Sequence, residues 1–134
     1  MSTVSSRQQF ETFLEDMIAG RYDDVSPLLT RDVVWHLPPF AGIAPFEGHE
    51  AVMKFMRDTP AAIYQPGSMS IEIHAATYDE PHASCLATMR ATTRHGQPYE
   101  NRYMFFARLR EGLLEEVWEL LDTAVFQQQT RPPA

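Results

Sequence analysis

Four polar residues interrupt two C-terminal runs that are otherwise built to be buried: Asn101, Tyr103, Glu119 and Asp122. A carboxylic acid in mostly apolar surroundings has its pKa raised toward neutrality, because burial disfavours the charged form, and this suits it to proton transfer. Asn101 and Tyr103 are of the types that orient a reacting group by hydrogen bonds. His36, next to Trp35 and just ahead of Pro38-Pro39, can carry a proton or donate a hydrogen bond as a neutral imidazole. Together these residue types point to general acid–base chemistry, with Glu119 or Asp122 moving the proton and Asn101, Tyr103 or His36 orienting. Each also has a plainer reading. Glu119 can pair across a sheet surface with Arg102 or Arg108, and Asp122 can cap a turn or bind a strand-end amide. Asn101 and Tyr103 can satisfy each other, and His36 can be a structural histidine.

The elements that must position these groups follow from periodicity. From residue 68 onward apolar and polar side chains alternate, which predicts four strands over residues 68–78, 83–93, 98–110 and 113–125. Turn-forming clusters separate them: Asp79-Glu80-Pro81-His82, Arg94-His95-Gly96-Gln97 and Glu111-Gly112. Ahead of them, Phe10, Phe13, Leu14, Met17 and Ile18 recur at helical spacing, with Ser5 or Ser6 as N-cap and Gly20 as the stop. A shorter helix is expected over residues 22–29 and a strand over 32–37. A Pro/Gly loop over 40–48 leads to a third helix that opens at Gly48-His49-Glu50 and ends at Thr59-Pro60. Helices first and an antiparallel meander afterwards make an α+β domain. Strands of this length bend as the sheet twists, so the sheet is expected to curl around the helices as a cone enclosing a pocket.

Hairpin register decides which acid faces that pocket. Glutamate tolerates positive φ poorly, so a three-residue Arg110-Glu111-Gly112 loop is favoured over a two-residue Glu111-Gly112 turn. The three-residue register pairs Tyr103 with Glu119 and puts Glu119 on the face of Asn101 and Phe105. The two-residue register puts Asp122 and Trp118 there instead, since a one-residue slip exchanges the faces.

With 134 residues, one domain is expected over 1–134, ordered over 5–126 with a flexible tail over 127–134. The net charge is −7 and Lys54 is the single lysine, which argues against a nucleic-acid partner. No apolar run of about eighteen residues is present, so no membrane partner is expected. The N-terminus lacks a secretory pattern and Cys85 is the single cysteine, so a cytoplasmic protein without an internal disulfide is expected. No His-Glu-x-x-His, Cys-x-x-Cys, Gly-x-Gly-x-x-Gly or Gly-x-Ser-x-Gly motif occurs, so neither metal nor cofactor is expected.

Three local signatures, in this order, resemble the NTF2-like superfamily and its SnoaL-like (polyketide cyclase-like) branch. They are Ala19-Gly20 leading to Arg31-Asp32-Val33-Val34-Trp35; Phe46-Glu47-Gly48-His49-Glu50-Ala51-Val52; and Phe106-Ala107-Arg108-Leu109-Arg110-Glu111-Gly112 running into Glu119-Leu120-Leu121-Asp122-Thr123. The resemblance spans roughly residues 7 to 126. It implies a cone-shaped pocket and a homodimer through the outer sheet face, and it does not imply one function.

The superfamily's known chemistries leave different marks here. Leu37 and Phe13 stand where ketosteroid isomerase carries its base and its tyrosine, which makes that chemistry unlike this chain's. Arg90-Ala91-Thr92 with Glu119 is the nearest match to the Asp–Arg–Asp set of limonene-epoxide hydrolase, with Thr92 replacing one acid. Asp122 matches the aspartate base of SnoaL-type cyclases. The resulting expectation is a general acid–base enzyme that acts on a hydrophobic small molecule of polyketide or terpenoid type, by cyclisation, isomerisation or epoxide opening. Glu119, Asp122 and His36 are the candidate catalytic residues. Asn101, Tyr103, Arg90, Trp35, Phe13, Met17, Phe55, Phe105 and Trp118 are the candidate substrate-binding residues. The alternative is a non-catalytic binding or dimerisation module.

Overall fold

The computed structural model describes residues 6–39 and 42–133. Helix α1 (Ser6–Ile18) turns Phe10, Phe13 and Leu14 inward, all fully buried. Gly20, at φ 78°, lets the amides of Gly20 and Arg21 fold back onto the carbonyls of Met17 and Asp16 at 3.2 and 2.9 Å. That is a Schellman closure, which needs a residue free to adopt positive φ. Ser6 is the first helical residue, and Ser5, the other cap candidate, lies outside the described residues.

The expected second helix is cut short. Helix α2 covers Tyr22–Val25, a 3₁₀ turn follows over Ser26–Leu28, and Leu29 already opens strand β1 (Leu29–His36). A two-residue strand β2 (Phe46–Glu47) lies within the segment expected to be loop. Helix α3 (His49–Ile63) continues through Pro60, where a stop was expected. Proline removes one helical hydrogen bond, but tertiary partners compensate downstream. The Arg94 amide reaches the Ile63 carbonyl at 2.9 Å, and Arg94 Nη1 donates to the Ala61 carbonyl at 2.8 Å.

Strands β3 (Ser70–Asp79), β4 (His82–Thr92), β5 (Pro98–Arg110) and β6 (Leu113–Leu121) form the expected antiparallel meander. Strand β1 joins parallel to β6, so the six-stranded sheet is mixed, in the order β2-β1-β6-β5-β4-β3. The sheet is open and its inner face carries the helices. Strand β6 ends four residues earlier than expected. Asp122 then caps a fourth helix, α4 (Thr123–Thr130), its Oδ1 accepting from the Val125 amide at 3.0 Å. The first half of the expected tail is therefore helical, and Gln129 Oε1 accepts from the Glu100 amide at 2.8 Å.

The β5–β6 hairpin departs from the expected loop in two ways that together keep the face of Glu119 but move its partner by two residues, from the expected Tyr103 to Phe105. Arg110 pairs with Leu113, so the turn has two residues, and Glu111 takes φ 52° beside Gly112 at 79°. Positive φ at both positions matches the strand twist as type I′ turns do, and this outweighs the modest local cost at Glu111. The register then shifts: Leu109 faces Leu114 but Arg108 faces Glu116, leaving Glu115 as a bulge. Glu115 is clamped by Arg108 Nε at 2.7 Å and Arg110 Nη1 at 2.9 Å. The extra residue restores the parity of the three-residue register. Phe105 faces Glu119 and Tyr103 faces Leu121, with Glu119 on the inner face.

Candidate active site

Alternation along β5 places Tyr99, Asn101, Tyr103, Phe105, Ala107 and Leu109 on the buried inner face. Val117, Glu119 and Leu121 follow on β6, and Val33 and Trp35 on β1. Trp35 is the centre of this face. It is fully buried, with ring centroids 5.8 Å from Phe13 on α1, 5.8 Å from Phe55 on α3 and 6.5 Å from Phe105 on β5. Its indole Nε1 donates to Glu119 Oε1 at 3.1 Å.

Between the helices and this face lies a cavity of about 290 Å³. Its walls are almost wholly apolar, with Met17 and Ile18 from α1, Phe55 and Met56 from α3, and Met89, Phe105 and Leu121 from the sheet. Phe126 of α4 and Leu37, Pro38 and Ile43 of the β1–β2 connection also line it. Among the described lining residues Glu119 is the one carboxylic acid. Desolvation drives its pKa up to about 7, and the single hydrogen bond from Trp35 offsets only part of that rise. Near neutral pH both protonation states are therefore populated, so the same group can remove a proton and return one.

Tyr103 and Tyr64 also line the cavity. The Tyr103 hydroxyl lies 2.6 Å from that of Tyr99, and Tyr99 Oη accepts from Asn101 Nδ2 at 2.9 Å. Burial pushes the Tyr64 and Tyr103 phenols well above their ordinary range and raises that of Tyr99, and the nearby Glu119 charge adds to the rise. They remain neutral hydrogen-bond donors and acceptors. Tyr64 and Tyr99 were missed by sequence reasoning. The Tyr99-x-Asn101-x-Tyr103 alternation was a readable signal that all three share one face, whereas Tyr64 follows α3 and arrives only by folding, bridged to Thr93.

The structure brings Glu119, Tyr103, Trp35, Met17, Phe55 and Phe105 together at the cavity and places the other candidates elsewhere. Phe13 packs behind Trp35 in the core, and Asn101 lies behind Tyr99 rather than in the lining. Asp122 is exposed and serves as the α4 cap. His36 faces outward, stacked on Trp118 at 4.8 Å and hydrogen-bonded to Glu116 at 2.6 Å. Both His36 and Trp118 are one residue out of phase with the inward Trp35–Val117 pair, so neither lines the pocket. Arg90 is outward because Met89 is inward, and it pairs with Glu100 at 2.7 Å and Glu72 at 2.9 Å. The nearest match to an epoxide-hydrolase set, Arg90 with Glu119, is thus divided between opposite faces.

A second depression of about 470 Å³ on the outer side is bordered by Glu72, His74, Arg90, Glu100, Arg102 and Asp122. Its charged groups largely satisfy one another in the open. The apolar cavity, whose acid has no ionic partner among the described residues, is the better candidate for a functional site. Among the described residues no group of three His, Cys, Asp or Glu side chains converges to hold a metal ion, and no helix is long and apolar enough to cross a membrane.

A curled, mixed sheet with helices on its concave side and a pocket between them defines an NTF2-like fold. The model of the SnoaL-like domain matches residues 10–117, and the chain belongs to that family. No curated protein matches it. Among solved structures it is similar to IdmH of Streptomyces antibioticus, a candidate polyketide cyclase, with TM-score 0.78 and 20% identity over 94% of this chain and 98% of that one. An NTF2-like protein of unknown function from Burkholderia pseudomallei K96243 gives TM-score 0.76 and 22% identity, covering 95% of this chain and 98% of that one. TerC, crystallised with polyporic acid, gives 0.77 and 17%, covering 94% and 98%.

Proposed function

We propose that this protein is a general acid–base enzyme for an apolar small molecule, with Glu119 as the group that transfers the proton and no cofactor required. The observation that carries this reading is the position of Glu119 as the one acid among the described residues that line an apolar cavity, anchored through one oxygen by Trp35. Proton transfer next to a carbonyl, leading to cyclisation or isomerisation, suits a lone acid–base group. Epoxide opening is less well served, since Arg90 lies on the outer face. IdmH and TerC, whose names associate them with a polyketide cyclase activity and a bound organic acid, are consistent with an apolar organic ligand.

The test uses 5-nitrobenzisoxazole, an apolar probe whose ring opens when a base removes its carbon-bound proton. Wild-type protein should open it with a rate that rises through pH 7, and Glu119→Gln should lose about 100-fold or more of that rate. Asp122→Asn should keep it. Equal rates for wild type and Glu119→Gln would remove Glu119 from the chemistry.

We propose further that two copies pair through the outer sheet face. Met104 and Leu120 are 51% and 52% exposed there, beside Phe106 at 43%, an apolar grouping that a monomer would leave wet. Sedimentation should show a dimer that Met104→Glu combined with Leu120→Glu converts to monomer; a wild-type monomer at all concentrations would refute the pairing.

A further inference from the structure

Glu119 accounts for proton transfer but not for the polar tyrosines that share its cavity. One end of their arrangement is fixed. Asn101 Oδ1 accepts from the Arg102 amide at 2.8 Å, which fixes the side-chain amide so that Nδ2 is the donor. Both Nδ2 hydrogens are then used, one on the Asp122 carbonyl at 2.9 Å and one on Tyr99 Oη at 2.9 Å. Tyr99 does not line the cavity; its hydroxyl, which already accepts from Asn101, lies 2.6 Å from Tyr103 Oη, and either of these two phenols can be the donor. Tyr103 and Tyr64 do line it. With Asn101 Nδ2 already donating to Tyr99, three phenols linked in a chain use two hydroxyl hydrogens on one another and leave one O–H to be given to a ligand, and each bond in such a chain polarises the next. A hydrocarbon placed against these hydroxyls would leave a buried donor without an acceptor, which disfavours it.

We propose that Tyr103 and Tyr64 form an anchoring subsite for an acceptor oxygen on the ligand, with Asn101 and Tyr99 as positioning residues behind it, so that the protein selects apolar ketones over hydrocarbons of the same shape. The inference rests on the cavity being the ligand site. It does not depend on Glu119 being the proton-transfer group. The neutrality of the phenols supports it, since each remains a donor at any pH the fold experiences.

The probes are 1-tetralone and tetralin, which differ in one carbonyl oxygen. Affinities are measured by quenching of tryptophan fluorescence, and the carbonyl stretch of bound 1-tetralone by infrared difference spectroscopy. Wild type should bind the ketone about 10-fold more tightly than their water–hydrocarbon partitioning predicts relative to tetralin, with the stretch moved to lower frequency. The double variant Tyr64→Phe/Tyr103→Phe should lose that preference and the frequency shift while binding tetralin as before. Tyr99→Phe touches no ligand, yet it should lose part of the shift and about 2- to 3-fold of the ketone preference, because the chain is no longer fed. Glu119→Gln should retain the ketone preference even where it abolishes ring opening of the benzisoxazole, which separates failure of this inference from failure of the catalytic one. No saturable binding of 1-tetralone, equal corrected affinities in wild type, or a Tyr99→Phe spectrum identical to wild type would overturn the proposal.

Discussion

Glu116 and Glu119 stand three residues apart on one strand and live in opposite environments. Glu116 faces outward, where His36 meets one of its oxygens at 2.6 Å and Arg108 the other at 2.9 Å. Glu119 faces inward, has one neutral hydrogen-bond donor, and is pushed up to about 7 by burial. The same contrast extends over the two faces. Outer acids such as Asp32 and Glu72 are held below the usual carboxylate range, chiefly by hydrogen bonds from Arg110 and Arg90. Residue type is constant across the comparison, so solvation and partners decide which acid can do chemistry at neutral pH.

The sharpest way to break the contrast is to insert one alanine between Val117 and Trp118. The added residue would turn Glu119 and Leu121 outward and Trp118 and Leu120 inward. The expected result is loss of cooperative folding and of near-ultraviolet dichroism from buried Trp35, and a native-like spectrum would show that strand parity does not set the faces. Next in size is the pH dependence of stability. A carboxyl whose pKa is raised from 4.5 to about 7 on folding favours the folded state fully below pH 4.5, and that contribution is lost as pH rises through 7. Glu119→Gln lacks this loss. It should exceed wild type in stability at pH 8 by up to about 3 kcal/mol, with the two converging near pH 4.5, in urea titrations at each pH. Wild-type stability relative to Glu119→Gln that does not change with pH would mean that the acid is solvated like its outer-face counterparts. Asp122→Ala should cost about 1 kcal/mol through the α4 cap in the same urea assay, without altering benzisoxazole turnover. The smallest effect belongs to Arg90→Ala, which should leave tetralone affinity unchanged because the side chain never reaches the cavity.

The hairpin shows how far the sequence could be read. Alternation from Pro98 to Arg110 specifies which β5 residues share a face, and the structure keeps every one of them there. Glu119 lies on the expected face, but the route to it differs, through a tighter turn plus a bulge. The signal was present as two consecutive acids, Glu115-Glu116, between the buried Leu114 and Val117. Strict alternation has no place for that doublet. Arg90, His36 and Trp118 were candidates by type, and the face parity of their own strands places them outside. Past Leu121 the apolar residues of α4 read equally well as strand, and a short apolar run cannot be assigned by periodicity alone. The cap at Asp122 settles it.

By itself the sequence determined the α+β order, the antiparallel meander, the curled fold and the short set of acids that could act, because alternation and turn residues are local properties. Only the tertiary structure decided that β1 pairs parallel to β6, that Tyr64 joins Tyr99 and Tyr103, and that Asp122 caps a helix in the open. Above all, it decided that Glu119 faces the apolar cavity with no ionic partner among the described residues. Desolvation depends on which distant segments close over a side chain, and no residue carries that information in its own neighbourhood.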